Sequence, residues 1–226
     1  TSPYSWAGFD SMRVLCRGFN ETPRQASRPM SATASGFVPS GGGGMLVLES
    51  LDTALERGAD IYAEILGGCI NSGGMRQGGS MTAPNDEGVQ RCIRSAVADA
   101  RIQPEAIDYI NGHLTATFAD SVELMNWSRA LEVPPEHMPP VNATKSLIGH
   151  SLGAAGAIEC IATILQMKDG FIHGSMNCEN LHPDAGRMAS SIVRETKTRN
   201  IQIAAKAGFG FGDVNSCIIF KNAEAM

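Results

Sequence analysis

The stretch TKSLIGHSLGAAGAIECIATIL, residues 144–165, decides the fold. From Leu152 to Leu165 nearly every residue is small or apolar, which reads as a helix buried on all sides. Yet Lys145 and His150 stand at its entrance, and one carboxylate, Glu159, sits inside it. Desolvating a charge is expensive, so a lysine and a glutamate at such a helix must have partners.

Elements on either side supply the enclosure that this helix requires. GGGGMLVLES (41–50) reads as a glycine approach to a buried strand. SLDTALERGA (50–59) reads as a helix with Ser50 as N-cap and Gly58 as stop. DIYAEILGG (60–68) is a second strand, and residues 67–80 form a flexible Gly/Ser/Asn segment. Apolar spacing through Val89, Ile93, Val97 and Ala100 predicts a helix over 85–101. AIDYING (106–112) is a strand ending at His113, Asp120 to Leu131 an amphipathic helix, and PPVNATKS (139–146) contains a short strand. Residues 7–19 are compatible with a helix, 20–36 with a polar stretch and 171–186 with loop. The closing IQIAAKAGFGFGDVNSCIIFKN (201–222) is two strands about a glycine-rich turn. Alternating strands and helices give an α/β protein, with layers of sheet enclosing the central helix.

Composition narrows the function. The 226 residues are 43% hydrophobic and 18% charged, which excludes a disordered chain. A net charge of −5 without a dense Lys/Arg run argues against nucleic acid. The six cysteines are scattered with no zinc-ligand spacing. No apolar stretch is long enough to span a bilayer, and reduced thiols in the cytoplasm are the default expectation.

Among the motifs, GFGFGD (208–213) fails as a dinucleotide fingerprint, because the following VNSCIIF reads as strand where a helix is required. Two segments are more specific. NGHLTATFADSVE (111–123) puts His113 at a strand end, followed by Thr115 and Thr117. The 144–159 segment supplies Lys145, His150 and Glu159. Taken singly, each of these residues is more economically read as structural. Together, two histidines, a lysine and a carboxylate about one apolar helix point to a site. His137, His173 and His182 have no such company and receive no role.

These segments resemble the β-ketoacyl-acyl carrier protein synthases, the condensing enzymes of the thiolase superfamily. NGHLTAT is similar to the family's Asn-Ala-His-Gly-Thr-x-Thr motif, TKSLIGHSLGAAGAIE to its lysine/histidine motif, and GFGFGDVN to its Gly-Phe-Gly-Gly-Thr-Asn turn. The stretch from ASRPMSATASG to LVLE also resembles the family's sequence before the first histidine. The resemblance implies a thiolase-like α-β-α-β-α layered fold and decarboxylative Claisen condensation of an acyl thioester with malonyl-carrier protein. It implies that His113 and His150 are paired imidazoles whose N–H groups stabilise the enolate left by loss of carbon dioxide. Removing one such donor costs on the order of 3 kcal/mol of barrier.

By the same resemblance Lys145 orients His113, with Glu159 pairing Lys145 from within the helix. Thr115 and Thr117 would hold the phosphopantetheine arm. Phe209 would supply an oxyanion-hole N–H and gate the acyl pocket, with Gly208 and Gly210 letting it swing. No free cofactor is implied, since acyl carrier protein delivers the substrates. Leu114, Gly208, Asp213 and Val214 depart from the family pattern.

The family's nucleophilic cysteine lies further before the first histidine than this chain reaches, and Cys16, in LCRGF, has the wrong surroundings. The expectation is therefore a C-terminal portion, inactive in condensation by itself. Residues 1–58 would be the tail of the N-terminal thiolase-like half and 59–226 the C-terminal half. Its partners would be the upstream half, acyl carrier protein and a second copy in a homodimer, with no nucleic acid and no membrane. A silent partner subunit of the chain-length-factor type is the alternative; a carrier-independent thiolase is disfavoured because Cys217 lacks the Cys-x-Gly turn.

Overall fold

The computed structural model describes residues 2–223. Along the chain run α1 (Pro3–Ser11), α2 (Leu51–Glu56), β1 (Ala63–Ser72), α3 (Asp86–Asp99), β2 (Tyr109–Asn111), α4 (Ala119–Leu131) and β3 (Val141–Asn142). Then follow α5 (Lys145–Ile148), α6 (Ala155–Asp169), β4 (Phe171–Ile172), α7 (Pro183–Gly186), β5 (Lys197–Thr198), β6 (Ile203–Gly210) and β7 (Val214–Asn222). Five strands form one mixed sheet in the order β1-β7-β6-β2-β3. The β1/β7 and β7/β6 pairs are antiparallel, and β2 pairs in parallel with both β6 and β3. β4 and β5 make a separate two-stranded ribbon.

Strand alternation sorts β6 between two cores. Ala205, Ala207 and Phe209 join the cluster under α3 and α4, where Ile93, Leu124 and Trp127 are buried. Ala204 faces the other way, with Cys160 and Met167 of α6. Lys206 shares the Ala204 face, so a cation points from a central strand toward the 144–169 segment. Close approach on the α3 side needs a missing side chain. A Cβ at Gly67 would lie 2.4 Å from the Ala100 nitrogen.

Helix limits follow capping chemistry. Asn85 accepts the Gly88 N–H at 2.7 Å and opens α3, with Asp86 and Glu87 in its first turn. Ser50 caps α2, and Gly58 follows it at φ +66°. Three segments differ from the sequence reading. The first helix covers 3–11, not 7–19, and the glycine-containing 67–72 stretch is the second half of edge strand β1, not a flexible loop. GGGGMLVLES forms no strand, with Met45, Val47 and Leu48 exposed, because a strand requires a neighbouring ladder that its own residues do not supply. Its glycines lie against α6, where a Cβ at Gly42 would meet the Ile158 side chain at 2.9 Å.

Helix α6 is consequently buried on its sheet face, through Glu159, Cys160, Thr163 and Met167, while Gly156 and Leu165 are exposed on the other. A hollow of about 710 Å³ separates Leu46 and Leu48 from Ile161, Ile164 and Leu165 on that open side. The apolar character of the helix on every side thus exceeds what this chain covers.

Candidate active site

His113 follows β2 and begins a loop whose backbone is held by two buried carboxylates of α4. Glu123 accepts the N–H groups of His113 (2.7 Å) and Leu114 (2.8 Å). Asp120 accepts from Thr115 (2.8 Å), Ala116 (3.0 Å) and Met30 (2.8 Å). Burial pushes the Glu123 carboxyl up to about 7 against the pull of its two backbone donors, and likewise raises Asp120. This clamp holds Leu114 at φ +23°, where glycine would be more comfortable, and drives its side chain into the core. Leu114 does not line the cleft beside it, so its departure from the family pattern leaves that space open.

His150 is placed by the break between α5 and α6. Gly149 adopts φ +72°, and a Cβ there would lie 2.7 Å from the Val38 carbonyl. The His150 N–H donates to Val38 (2.8 Å), and its carbonyl accepts from Ser40 (3.0 Å). The Leu152 N–H donates to His150 Nδ1 at 3.1 Å, so the neutral ring carries its proton on Nε2. Ring centroids of His113 and His150 lie 5.5 Å apart, edge to face at 84°.

Lys145 lies behind the rings, 2% exposed. Its Nζ donates to the His113 carbonyl at 2.5 Å, lies 3.5 Å from His113 Nδ1, and contacts Glu159 Oε1 at 2.5 Å. An ammonium only donates, so His113 Nδ1 is the acceptor and its proton also sits on Nε2. The other Glu159 oxygen is 2.9 Å from Lys206 Nζ. Beneath Lys145, Thr144 joins a buried polar web. Asn111 donates to its hydroxyl at 2.8 Å, and His173 Nε2 lies 3.1 Å away. His173, without a role on sequence grounds, therefore helps fix the residue next to the lysine.

Burial disfavours an imidazolium at both rings, and Lys145 beside them adds to it; His113 is held well below the ordinary histidine range and His150 at about 4. Burial also pulls Lys145 down, opposed by Glu159. For Glu159 burial pushes upward, but Lys206 and Lys145 outweigh it and keep the carboxylate ionised.

These groups border a cleft of about 710 Å³. His113, Thr115, Thr117, His150, Glu159 and Phe209 all line it, and the hydroxyls of Thr115 and Thr117 are 3.0 Å apart. None of the six cysteines does. Phe209 is buried and locked in the β6/β7 ladder opposite Asn215, and Gly208 and Gly210 are ladder residues too, so neither glycine is free to act as a hinge. The residue on the free turn is Phe211, half-exposed at the cleft, where its ring meets Phe9 at 6.0 Å. Asp213, two residues on, is fully buried at φ +60°, accepting the N–H groups of Met75 and Asn85 at 2.8 Å each. That departure from the family turn thereby ties the hairpin to the loop before α3.

Residues 62–179, more than half of the chain, match the family described as "Beta-ketoacyl synthase, C-terminal domain". The chain belongs to the β-ketoacyl synthase family. It is 41% identical over 216 residues to 3-oxoacyl-[acyl-carrier-protein] synthase 1 of Escherichia coli, covering 96% of this chain and 50% of that protein. Among solved structures, a type II polyketide synthase acyl-carrier protein in complex with its ketosynthase bound to the hexaketide superposes with a TM-score of 0.89. It is 30% identical, over 98% of this chain and 53% of the other. A β-ketoacyl synthase from Burkholderia phymatum gives 0.88 at 31% identity, over 99% and 52% of the two chains. The fold is therefore thiolase-like, and the synthase chain spans about half the length of the curated relatives it matches.

Proposed function

We propose that this chain is the C-terminal part of a 3-oxoacyl-[acyl-carrier-protein] synthase, an acyltransferase that condenses an acyl thioester with malonyl-carrier protein. The observation that carries the reading is the pair of imidazoles with both protons on Nε2, at the wall of one cleft. The carboxylate carbon–carbon bond of the malonyl group breaks, and its electron pair becomes an enolate whose oxygen takes hydrogen bonds from His113 and His150. The enolate carbon then attacks the acyl carbonyl, and the thiolate that carried the acyl group leaves. Donors fixed before the charge develops act mainly on the transition state. Lys145 is the positioning residue behind His113, and Thr115 and Thr117 contact the phosphopantetheine arm.

The nucleophilic cysteine comes from a segment upstream of residue 1, and residues 1–58 and 59–226 belong to the two halves of the fold. Acyl carrier protein supplies both substrates without a free cofactor, and the assembled enzyme is a cytoplasmic homodimer. Among the described residues no helix is long and apolar enough to cross a membrane. Two imidazoles and a buried lysine favour this reading over a silent partner subunit, which has no use for them. The test joins the chain to a cysteine-bearing upstream half and measures carbon dioxide release from malonyl-carrier protein. His113→Ala or His150→Ala should lower that rate by about 100- to 1000-fold. An undiminished rate in either variant rejects the assignment.

A further inference from the structure

Lys206 has no role in the proposed chemistry, yet it is 3% exposed on a central strand beside the site. Its ammonium donates to the Ala207 carbonyl and pairs with Glu159 Oε2 at 2.9 Å, while Lys145 occupies Oε1. One carboxylate thus serves two buried ammoniums, and the cluster behind the rings carries one surplus positive charge. The Lys145–Glu159 pair alone would be neutral; Lys206 supplies the surplus.

We propose that Lys206 is a positioning residue whose charge adds to burial and to Lys145 in holding His113 and His150 in the neutral, Nε2–H form. The rings sit against charged or titratable groups from four elements: Lys145 on α5, Glu159 on α6, Lys206 on β6, and Glu123 and Asp120 on α4. Glu159 is matched by Lys145, and the two α4 carboxylates are spent on backbone N–H groups of the loop. A proton added to either ring therefore meets a net cation, and Lys206 opposes protonation of both rings. An imidazolium could still donate, but Leu152 N–H and Lys145 would then face a protonated Nδ1, and the bonds that orient the rings would be lost.

The consequence for catalysis rests on the proposed function; the effect on ring protonation does not. The test is therefore nitrogen NMR of histidine-labelled chain, titrated from neutral pH into acid, with His113 and His150 assigned by single substitutions. In the native chain His150 should titrate near 4. Lys206→Met should raise both ring midpoints by about one unit, giving about tenfold more imidazolium at a pH of about 5.5. Lys206→Arg, which keeps the charge, should restore the native midpoints. If the methionine variant does not fold, Lys206→Gln keeps a donor for Glu159 without the charge and should give the same rise. A purely structural role predicts lower melting temperatures with unchanged ring midpoints, and that result in a folded neutral variant overturns the proposal. Undiminished decarboxylation in the assembled enzyme at a pH where both rings are protonated would instead count against the role of the rings.

Discussion

Glu159→Gln is the sharpest perturbation of this site. The carboxylate is 1% exposed and touches two ammoniums that are themselves 2% and 3% exposed, at 2.5 and 2.9 Å. Replacing it with an amide leaves two cations in a medium that solvates them poorly. Breaking one buried ion pair by removing a partner costs about 3–5 kcal/mol. For a chain of this size each kcal/mol lowers the melting temperature by about 2–4 °C, so a fall of about 6–20 °C is expected at neutral pH. The deficit depends on pH with a defined sign. Glu159 has a folded-state pKa below its unfolded value, so its contribution is complete above the unfolded value and is lost as pH falls through the folded one. Melting curves of the two proteins should therefore converge as the pH drops below the ordinary carboxylate range. Raising the pH should also narrow the gap, because a buried lysine left unpaired in the variant can shed its proton. Differential scanning calorimetry across pH checks all of this. A neutral-pH shift below about 2 °C, or a gap that widens in acid, refutes the account of Glu159 as the shared counter-ion.

Two further substitutions test the hairpin. Phe209→Ala removes a buried ladder residue and should cost about 3–5 kcal/mol, whereas Phe211→Ala, on the turn, should stay within about 0.5 kcal/mol. If the exposed turn ring gates the acyl pocket in the assembled enzyme, Phe211→Ala should instead change the rate ratio for short and long acyl thioesters by about tenfold, measured by product chromatography; the opposite division of effects would support the gate expected at Phe209. Asp213→Ala strands the N–H groups of Met75 and Asn85 and should cost about 1–3 kcal/mol for each group left unsatisfied, read as faster amide exchange over residues 73–88. Unchanged exchange there would mean that the turn and the loop are held by other contacts.

How much of this was legible in the sequence depended on whether a signal was local. Helix α3 follows from apolar spacing and its Asn85 cap, α4 from its amphipathic spacing, and the β6/β7 hairpin from its glycine turn. Residues 41–50 carry the composition of a strand, but pairing is a property of two segments and cannot be read from one. Asp120 and Glu123 read as ordinary acidic residues in the first turns of a helix; that their oxygens reach back to residues 113–116 depends on the loop's path. Lys206 did carry a signal. A strand of small residues on both faces, AAKAG, is buried on both faces, so a lysine within it must be buried and must have an anion. The apolar α6 holds Glu159, and that pairing was derivable.

Three of the buried carboxylates, those around the two histidines, divide the work of the site by the kind of partner each holds. Glu123 and Asp120 accept backbone N–H groups, which are dipoles; they fix where His113 and the two threonines stand. Glu159 accepts only side-chain ammoniums, and so sets the net charge behind the rings. Were Glu159 to hold one lysine, the region would be neutral and the imidazoles would answer mainly to burial. With two, an anion forming in the cleft faces a positive background reached through neutral donors. In the proposed condensation those donors would stabilise the anion without giving up a proton, keeping electron density on the carbon that forms the new bond. Under the proposed function, a site arranged in this way would favour an enolate over its protonated form, and that preference would separate carbon–carbon bond formation from simple decarboxylation.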